Sequence, residues 1–198
     1  ASTTGLCWTT PSITDATPTV AGIIKGTTNN ALCNTALGCN ALNLTATGAE
    51  NSAIGTCALV ATTTGYRNTG LGACTLCTLT TGIQNVAVGM FAGARLTTGI
   101  DNLILGSFAG SCLTTGCGNT IVGNMSSFSS VMTGSCNTSL GFSSGGFTSG
   151  SKNVAIGHSV GVANPAASCQ LAIGWDPAGC CWLIGNSTKA IKPMAGLI

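Results

Sequence analysis

A short unit, Asn-x-small-aliphatic-Gly, recurs nine times between Asn34 and Gly174 and dominates the chain. The spacing between successive leading amides is 17 residues through Asn119, and then 18, 16 and 17. A period of this length is typical of a solenoid, in which each coil buries its apolar side only against neighbouring coils. We therefore predict an all-β fold, a parallel β-solenoid of about nine 17-residue coils over residues 34–174. The leading amides, which define position 0 of each coil, are Asn34, Asn51, Asn68, Asn85, Asn102, Asn119, Asn137, Asn153 and Gln170.

Every coil has an aliphatic residue at position +3 and a glycine at position +4. Because successive residues of a strand face opposite ways, +1 and +3 share one face, and the amide, +2 and +4 share the other. We expect the +3 face to fill the inside of the coil. The opposite face, almost bare of side chains, is then expected to pack against other chains. The +3 residues are Leu37, Ile54, Leu71, Val88, Leu105, Val122, Leu140, Ile156 and Ile173.

A turn glycine follows in the second half of each of the first seven coils, several times within a Thr-Thr-Gly triplet such as 63–65. Glycine at a fixed turn position usually supplies a backbone conformation with positive φ, which other residues resist. We expect that conformation at all of these positions. The turn glycines are Gly48, Gly65, Gly82, Gly99, Gly116, Gly134 and Gly150.

The column of leading amides predicts a hydrogen-bonded ladder. Identical amides stacked about 4.8 Å apart can both donate and accept along the column. A more varied polar column lies one residue earlier, at position −1. In that column Glu50 and Arg67 fall on neighbouring coils, so we expect an exposed ion pair between them.

Bulky residues change position part of the way along the repeat. The first three coils have leucine at +8 (Leu42, Leu59 and Leu76), whereas the next two have glycine at +8 and phenylalanine at +6 (Phe91 and Phe108). We interpret this as an exchange within one inward-facing layer that keeps the core volume roughly constant.

Charged residues make up only 5% of the chain, against about 25% in an ordinary soluble domain. So little charge predicts that much of the surface is covered, most simply by other copies of the same chain. The net charge of +2 is too small for an electrostatic nucleic-acid footprint. No stretch reaches the roughly 18 apolar residues of a membrane span, and no signal peptide is recognisable at the start. We expect neither nucleic-acid binding nor membrane insertion.

The side chains that usually carry catalysis are few and scattered. The acids are Asp15, Glu50, Asp101 and Asp176, and the single histidine is His158. Glu50 and Asp101 share a column but lie three coils apart, roughly 14 Å by strand spacing, which is too far for a carboxylate pair. No phosphate-binding loop or nucleophile motif is present. We predict no enzymatic activity, no catalytic residues and no cofactor.

Twelve cysteines raise the questions of metal binding and disulfides. Only Cys74 and Cys77 have the Cys-x2-Cys spacing that zinc sites need twice over, so we predict no metal. Cys57 and Cys74 at equivalent positions, or the pair at 112 and 117, have a spacing that disulfides accept. The interpretation that we favour is that most cysteines are reduced and buried between coils, as small apolar residues.

Two flanking segments depart from the repeat. Residues 1–33 are interpreted as an N-terminal capping or attachment segment, with Trp8 as its large anchor and a short strand at 20–26. Residues 175–198 hold two of the three tryptophans and are interpreted as a C-terminal cap and exit segment. The predicted organisation is thus a repeat domain at 34–174 between two short flanks.

The pattern Thr-Thr-Gly-x-x-Asn-x-Ala-Ile/Val-Gly-x-x-Ala resembles two related groups of proteins. One group is the head domain of YadA-like trimeric autotransporter adhesins, a left-handed parallel β-roll in which three chains pack side by side. The other, to which the pattern is more similar, is a class of phage fibre and virion structural proteins common in phages of cyanobacteria. The segments 16–26 and 190–198 are also similar to flanking segments of that class. The 17-residue coil is longer than the adhesin repeat, and the many cysteines are unusual for both groups.

The resemblance implies a left-handed β-roll that assembles as a homotrimer and forms a non-enzymatic fibre or appendage on a phage virion. Its expected partners are further copies of itself, other virion structural proteins and a host cell-surface receptor. Its expected location is the virion surface, or the cell surface if the protein is not viral. The alternatives are a bacterial trimeric adhesin head and an ice- or crystal-surface-binding solenoid, the latter motivated by the stacked threonines.

Overall fold

The computed structural model describes residues 32–43, 45–127, 132–175, 181–185 and 191–193. Eleven strands form one sheet in chain order, and each strand pairs with its sequence neighbours. The first nine strands are parallel and pair position for position, as in Ala53 with Gly70 and Gly70 with Ala87. The described chain is therefore all-β, and its repeats form the predicted β-solenoid. Trp8 and the strand predicted at 20–26 lie outside the described residues.

Each coil contributes one short strand to the sheet, called a rung here. The seven earliest rungs are three residues long, and each is followed by a +4 glycine with a positive φ, for example +132° at Gly55 and +134° at Gly72. The strands are β1 (Thr35–Leu37), β2 (Ser52–Ile54), β3 (Thr69–Leu71), β4 (Val86–Val88), β5 (Leu103–Leu105), β6 (Thr120–Val122), β7 (Thr138–Leu140), β8 (Val154–His158), β9 (Leu171–Trp175), β10 (Cys181–Gly185) and β11 (Ile191–Pro193).

The strands face the opposite way from the orientation that we expected. The small +2 residues point into the coil, and Ala53 and Ala87 are completely buried. The +3 residues lie on the outside, where Leu71 is 43% and Leu140 45% exposed. The expectation that the +3 face fills the interior is therefore wrong. The surface available for packing against other chains is the aliphatic one, not the bare one.

Positions +2 and +8 face each other inside the solenoid, and the space between them holds only one bulky side chain. In the early coils leucine at +8 fills that space, and the strand residue opposite is small. A Cβ added to Gly70 at +2 would lie 3.4 Å from Leu59 Cγ. In later coils the sizes are reversed, since a Cβ on Gly93 at +8 would lie 2.9 Å from Ile104 Cδ1. In the core, the bulky side chain is thus at either +8 or +2, and the residue at the other position is small.

The residues at +6 do not take part in this exchange. Phe91 and Phe108 are half-buried on the outer surface, and their rings stack with centroids 5.1 Å apart. Our interpretation of +6 and +8 as one inward layer is wrong, because the backbone there is not extended. Both positions take a left-handed conformation, as at Cys57 (φ 56°) and Leu59 (φ 53°).

The turn glycines are needed for a different reason from the one predicted. None of the seven has a positive φ, whereas the varied residues of the −1 column do, for example Arg67 (φ 57°) and Asp101 (φ 58°). A Cβ on Gly82 would lie only 2.6 Å from the carbonyl oxygen of Gly99 in the next coil. Close approach between coils, not a special φ, therefore selects glycine at these turns.

The parallel stack ends after β9. Strand β10 pairs antiparallel with β9, with Gly185 opposite Leu171, and β11 pairs antiparallel with β10. Strand β10 covers the edge that β9 would otherwise present, and β11 continues the sheet beyond it. In the part of the chain that the structure describes, no helix is long and apolar enough to cross a membrane.

Candidate interaction surfaces and the amide column

The nine leading amides lie in one column inside the solenoid. The Oδ1 atom of each asparagine accepts a hydrogen bond from the backbone N–H of the next amide residue, as in Asn85 N to Asn68 Oδ1 at 3.0 Å. In the middle of the column the side chains also bond directly, and Asn102 Nδ2 donates to Asn85 Oδ1 at 2.8 Å. The amides from Asn51 to Asn153 are buried. The column therefore connects the coils along the whole axis of the repeat.

Each of the eight asparagines also closes its own coil. Asn85 Nδ2 donates to the carbonyl oxygen of Gly99, 14 residues later, at 2.8 Å. The same bond joins Asn51 to Gly65 and Asn102 to Gly116. A side-chain amide has an oxygen that accepts hydrogen bonds and an NH2 group that donates them, so one partner cannot satisfy it. In this column both the oxygen and the nitrogen are hydrogen-bonded. Sequence reasoning located the column but missed this second bond.

The outer surface of the sheet is a continuous uncharged strip. We define the sheet face as the +1 and +3 residues of β1 to β9. None of these positions carries a charged residue, and aliphatic side chains such as Leu71, Leu103 and Leu140 are more than a third exposed. Contiguous exposed apolar surface of this kind marks an interaction site on a soluble protein.

A second apolar surface lies around the bend that follows the +4 glycines. We define the apolar corner as five +5 and +6 residues, namely Met90, Phe91, Phe108, Met125 and Phe142. Met90 is 44% and Phe142 48% exposed. Phe142 also stacks on His158 with ring centroids 5.3 Å apart and planes 9° apart. His158 is therefore part of an aromatic row on the next rung, in register with exposed Trp175.

The charges lie elsewhere on the coil. Four of the five charged residues between positions 32 and 175 occupy the −1 column, and all five are exposed. Arg67 Nε bonds to Glu50 Oε2 at 2.7 Å, which confirms the predicted ion pair. The hydrogen bond and charge of Glu50 raise the pKa of Arg67 further, and the guanidinium lies 5.6 Å from the centroid of the Tyr66 ring. This edge of the coil is suited to contact with water.

The cysteines are more exposed than we predicted. Cys39, Cys136 and Cys169 are exposed and Cys57, Cys74, Cys77 and Cys117 are half-buried, all with free thiols. The expectation of cysteines buried between coils is therefore wrong for these seven. Neither suggested disulfide is formed, since Cys57 and Cys74 are both free and so is Cys117. Cys7 and Cys180 lie outside the described residues.

Cys77 is expected to react with alkylating reagents more slowly than Cys39. Burial raises the pKa of the Cys77 thiol, and the neighbouring thiols of Cys74 and Cys57 raise it further. Because the thiolate is the reactive form, a raised pKa lowers the reactive fraction at about pH 8. A mass-spectrometric time course of alkylation at several pH values should show Cys77 lagging until the pH exceeds its pKa. Equal rates for the two thiols in the folded protein would contradict this, and equal rates in denaturant are the control.

The core becomes polar toward the C-terminal end of the repeat. Ser126, Ser139 and Ser144 are buried, and the Ser139 hydroxyl lies 2.7 Å from that of Ser126 and 3.1 Å from that of Ser144. A cavity of about 190 Å³ adjoins them, lined by serine, glycine and Val160. Its lining offers no acid, base or metal ligand. We therefore assign it to the packing of unequal coils, since coil 137–152 has 16 residues.

The titratable side chains that the structure describes are spread along the solenoid. Among the described residues, no three side chains of the types that bind metals lie close enough to hold an ion. Glu50 is engaged by Arg67 and His158 by Phe142, on coils far apart in the stack. The sheet face and the apolar corner are thus the surfaces with the clearest capacity for function. The sequence signal for both is the absence of charge from these columns.

In comparisons with models of known protein families, with curated proteins and with solved structures, no match to this chain was found.

Proposed function

We propose that this chain is a non-enzymatic structural protein that forms a homotrimeric fibre or appendage on the surface of a phage virion. The observation that carries the proposal is the nine-rung stack with an uncharged, partly aliphatic sheet face along its length. A rod of nine rungs extends roughly 43 Å at about 4.8 Å per rung. A rod with such an apolar surface along one side is suited to building a longer assembly.

The viral setting is supported by the repeat sequence. The coils at 80–89 and 97–106 follow the Thr-Thr-Gly-x-x-Asn pattern of phage fibre and virion proteins, and the trimeric state is what that resemblance implies. The same resemblance supports other virion structural proteins and a host cell-surface receptor as partners. A bacterial adhesin head would use the same architecture in a different cellular setting.

A structural role is supported by the chemistry of the described side chains. The buried polar groups are mainly amides and hydroxyls that bond within the solenoid, such as Asn68 and Ser139. The charged side chains between positions 32 and 175 are exposed, and none of them lines the cavity. The buried amides hold one coil to the next, whereas the buried hydroxyls of Thr62, Ser111 and Ser127 have no hydrogen-bond partner in the described chain.

The proposal is tested on the purified full chain. Native mass spectrometry should give about three times the chain mass of 19.4 kDa, or a larger assembly built on threes, and electron microscopy should show rods. Labelled antibody against the chain should then decorate the outside of intact virions. A stable folded monomer at micromolar concentration would contradict the trimer and the fibre together. Decoration of bacterial surfaces but not virions would favour the adhesin.

A further inference from the structure

We propose that the sheet face and the apolar corner together form the contact between copies of this chain, each copy placing its sheet face against the corner of the next. This inference rests on the proposed structural function and adds which surfaces meet. The occupant of the strip is a second copy, in parallel and at the same height.

The periodicity favours a second copy over an unrelated partner. The sheet face repeats every rung, with the parallel register unbroken from β1 to β9. A partner that covers all nine rungs needs side chains at the same spacing of about 4.8 Å. Another copy of this chain has the same spacing because it is built from the same coils. Parallel alignment keeps each coil against its equivalent.

The charge distribution allows this contact to close without repulsion. Neither the sheet face nor the apolar corner contains a charged residue. The exposed charges at Glu50, Arg67, Asp101 and Lys152 all occupy the −1 column. Burial of an unpaired charge would be expensive. Packing through these two surfaces avoids it and leaves the −1 column in water.

The bend between the surfaces favours a closed ring over a face-to-face pair. A pair joined through the sheet alone would bury a strip of roughly 43 by 10 Å on each copy, about 860 Å² in total, which is below the roughly 1,200–2,000 Å² of stable interfaces. It would also leave Met90, Phe91 and Phe142 exposed, because the chain turns away from the sheet at the +4 glycine. Two neighbours can cover both surfaces of one copy. A head-to-tail contact of this kind closes into a ring.

The test is photo-crosslinking of the full chain with p-benzoyl-L-phenylalanine at single positions. Leu71→p-benzoyl-L-phenylalanine on the sheet face and Met90→p-benzoyl-L-phenylalanine on the corner should each give covalent dimers and trimers. Val60→p-benzoyl-L-phenylalanine is the matched control, because Val60 is 36% exposed but lies at +9, outside both surfaces. Peptide mapping should join sheet-face residues of one copy to corner residues of another at nearby rungs.

Several outcomes would overturn the inference. Cross-linking from Val60 but not from Leu71, in a protein that is still trimeric, would place the contact elsewhere and leave the proposed function intact. Links only between sheet faces would replace the ring by a face-to-face pair. Links from Leu71 to residues 1–31 of the same chain would show that the chain covers its own sheet. A monomeric wild-type protein would overturn the proposed function as well.

A second variant gives an independent readout. Leu71→Asp should reduce the trimer fraction at least tenfold at micromolar concentration, whereas Val60→Asp should leave it unchanged. Both side chains are more than a third exposed, so neither change places a charge in the chain's own core. Equal loss of trimer in both variants would contradict the assignment of the sheet face.

Discussion

The Gly89→Ala variant is expected to lose roughly 2–6 kcal/mol of folding stability, enough to prevent folding of a marginal chain. Gly89 has a φ of +125°, which L side chains rarely adopt, and holding a residue in such a region costs about 1–3 kcal/mol. The added Cβ would also lie 2.6 Å from the backbone of Gly106 in the next coil. Overpacking of that kind costs about a further 1–3 kcal/mol.

A matched substitution separates this effect from a general loss of glycine. Gly118 also has a positive φ, +63°, but a Cβ there would meet only Cys136 Sγ at 3.7 Å. Its column already accepts residues such as Arg67 and Gln84 at φ 57°. Gly118→Ala should therefore cost about 1 kcal/mol, the usual penalty for a left-handed L residue.

The measurement is thermal unfolding followed by circular dichroism at one protein concentration for all variants. A large drop for Gly89→Ala with a small one for Gly118→Ala is the expected result. Equal unfolding temperatures for the two variants would mean that adjacent coils can move apart at +4 to make room for the added Cβ. The +4 glycines would then not set the spacing between rungs.

The period of the amides was sufficient to predict the stacking of the coils. Nine units at nearly constant spacing allow one strand per coil, and an in-register parallel sheet follows because equivalent residues meet on adjacent rungs. Single-residue changes in coil length do not break this register, since Thr120 still pairs with Thr138 and Thr138 with Val154.

The direction in which the strands face was harder to predict. Alternation separates two faces but does not say which one is inside, and residue size alone favoured the wrong one. The informative signal was a correlation along the chain. Small residues at +2, such as Ala53, follow a coil with leucine at +8, whereas Ile104 and Ile121 follow coils with glycine at +8. Two positions that exchange volume must share one interior.

The left-handed turn conformations had no comparable signal. The −1 column holds Glu50, Arg67, Gln84 and Lys152, which have no common side-chain preference, yet all have a φ near 60°. Their conformation is set by the need to turn the chain into the next rung and not by their identity. For the same reason, the position of the apolar corner depended on a bend at +4 to +6 that composition does not reveal.

The Asn85→Leu variant is expected to lose roughly 2–6 kcal/mol, because leucine keeps the size of the side chain but removes its polar atoms. The backbone N–H of Asn102, held at 3.1 Å by Asn85 Oδ1, loses that acceptor, and the Gly99 carbonyl loses the Asn85 Nδ2 donor. Each buried polar group that loses its partner costs about 1–3 kcal/mol. Asn102 Nδ2 is affected less, because it still donates to Gly116 O.

Gln84→Leu is the control, since it also replaces an amide by leucine but at an exposed −1 residue, outside the amide column and outside both contact surfaces. Its effect should stay within about 0.5 kcal/mol, as for most surface substitutions. Denaturant unfolding of the two variants and the wild type, at equal protein concentration, measures the difference. If the column were dispensable, Asn85→Leu would unfold at the same denaturant concentration as the wild type. Backbone pairing alone would then hold the rungs together. A loss confined to Asn85→Leu means instead that the buried amides join each coil to the next, which explains why eight of nine coils begin with asparagine.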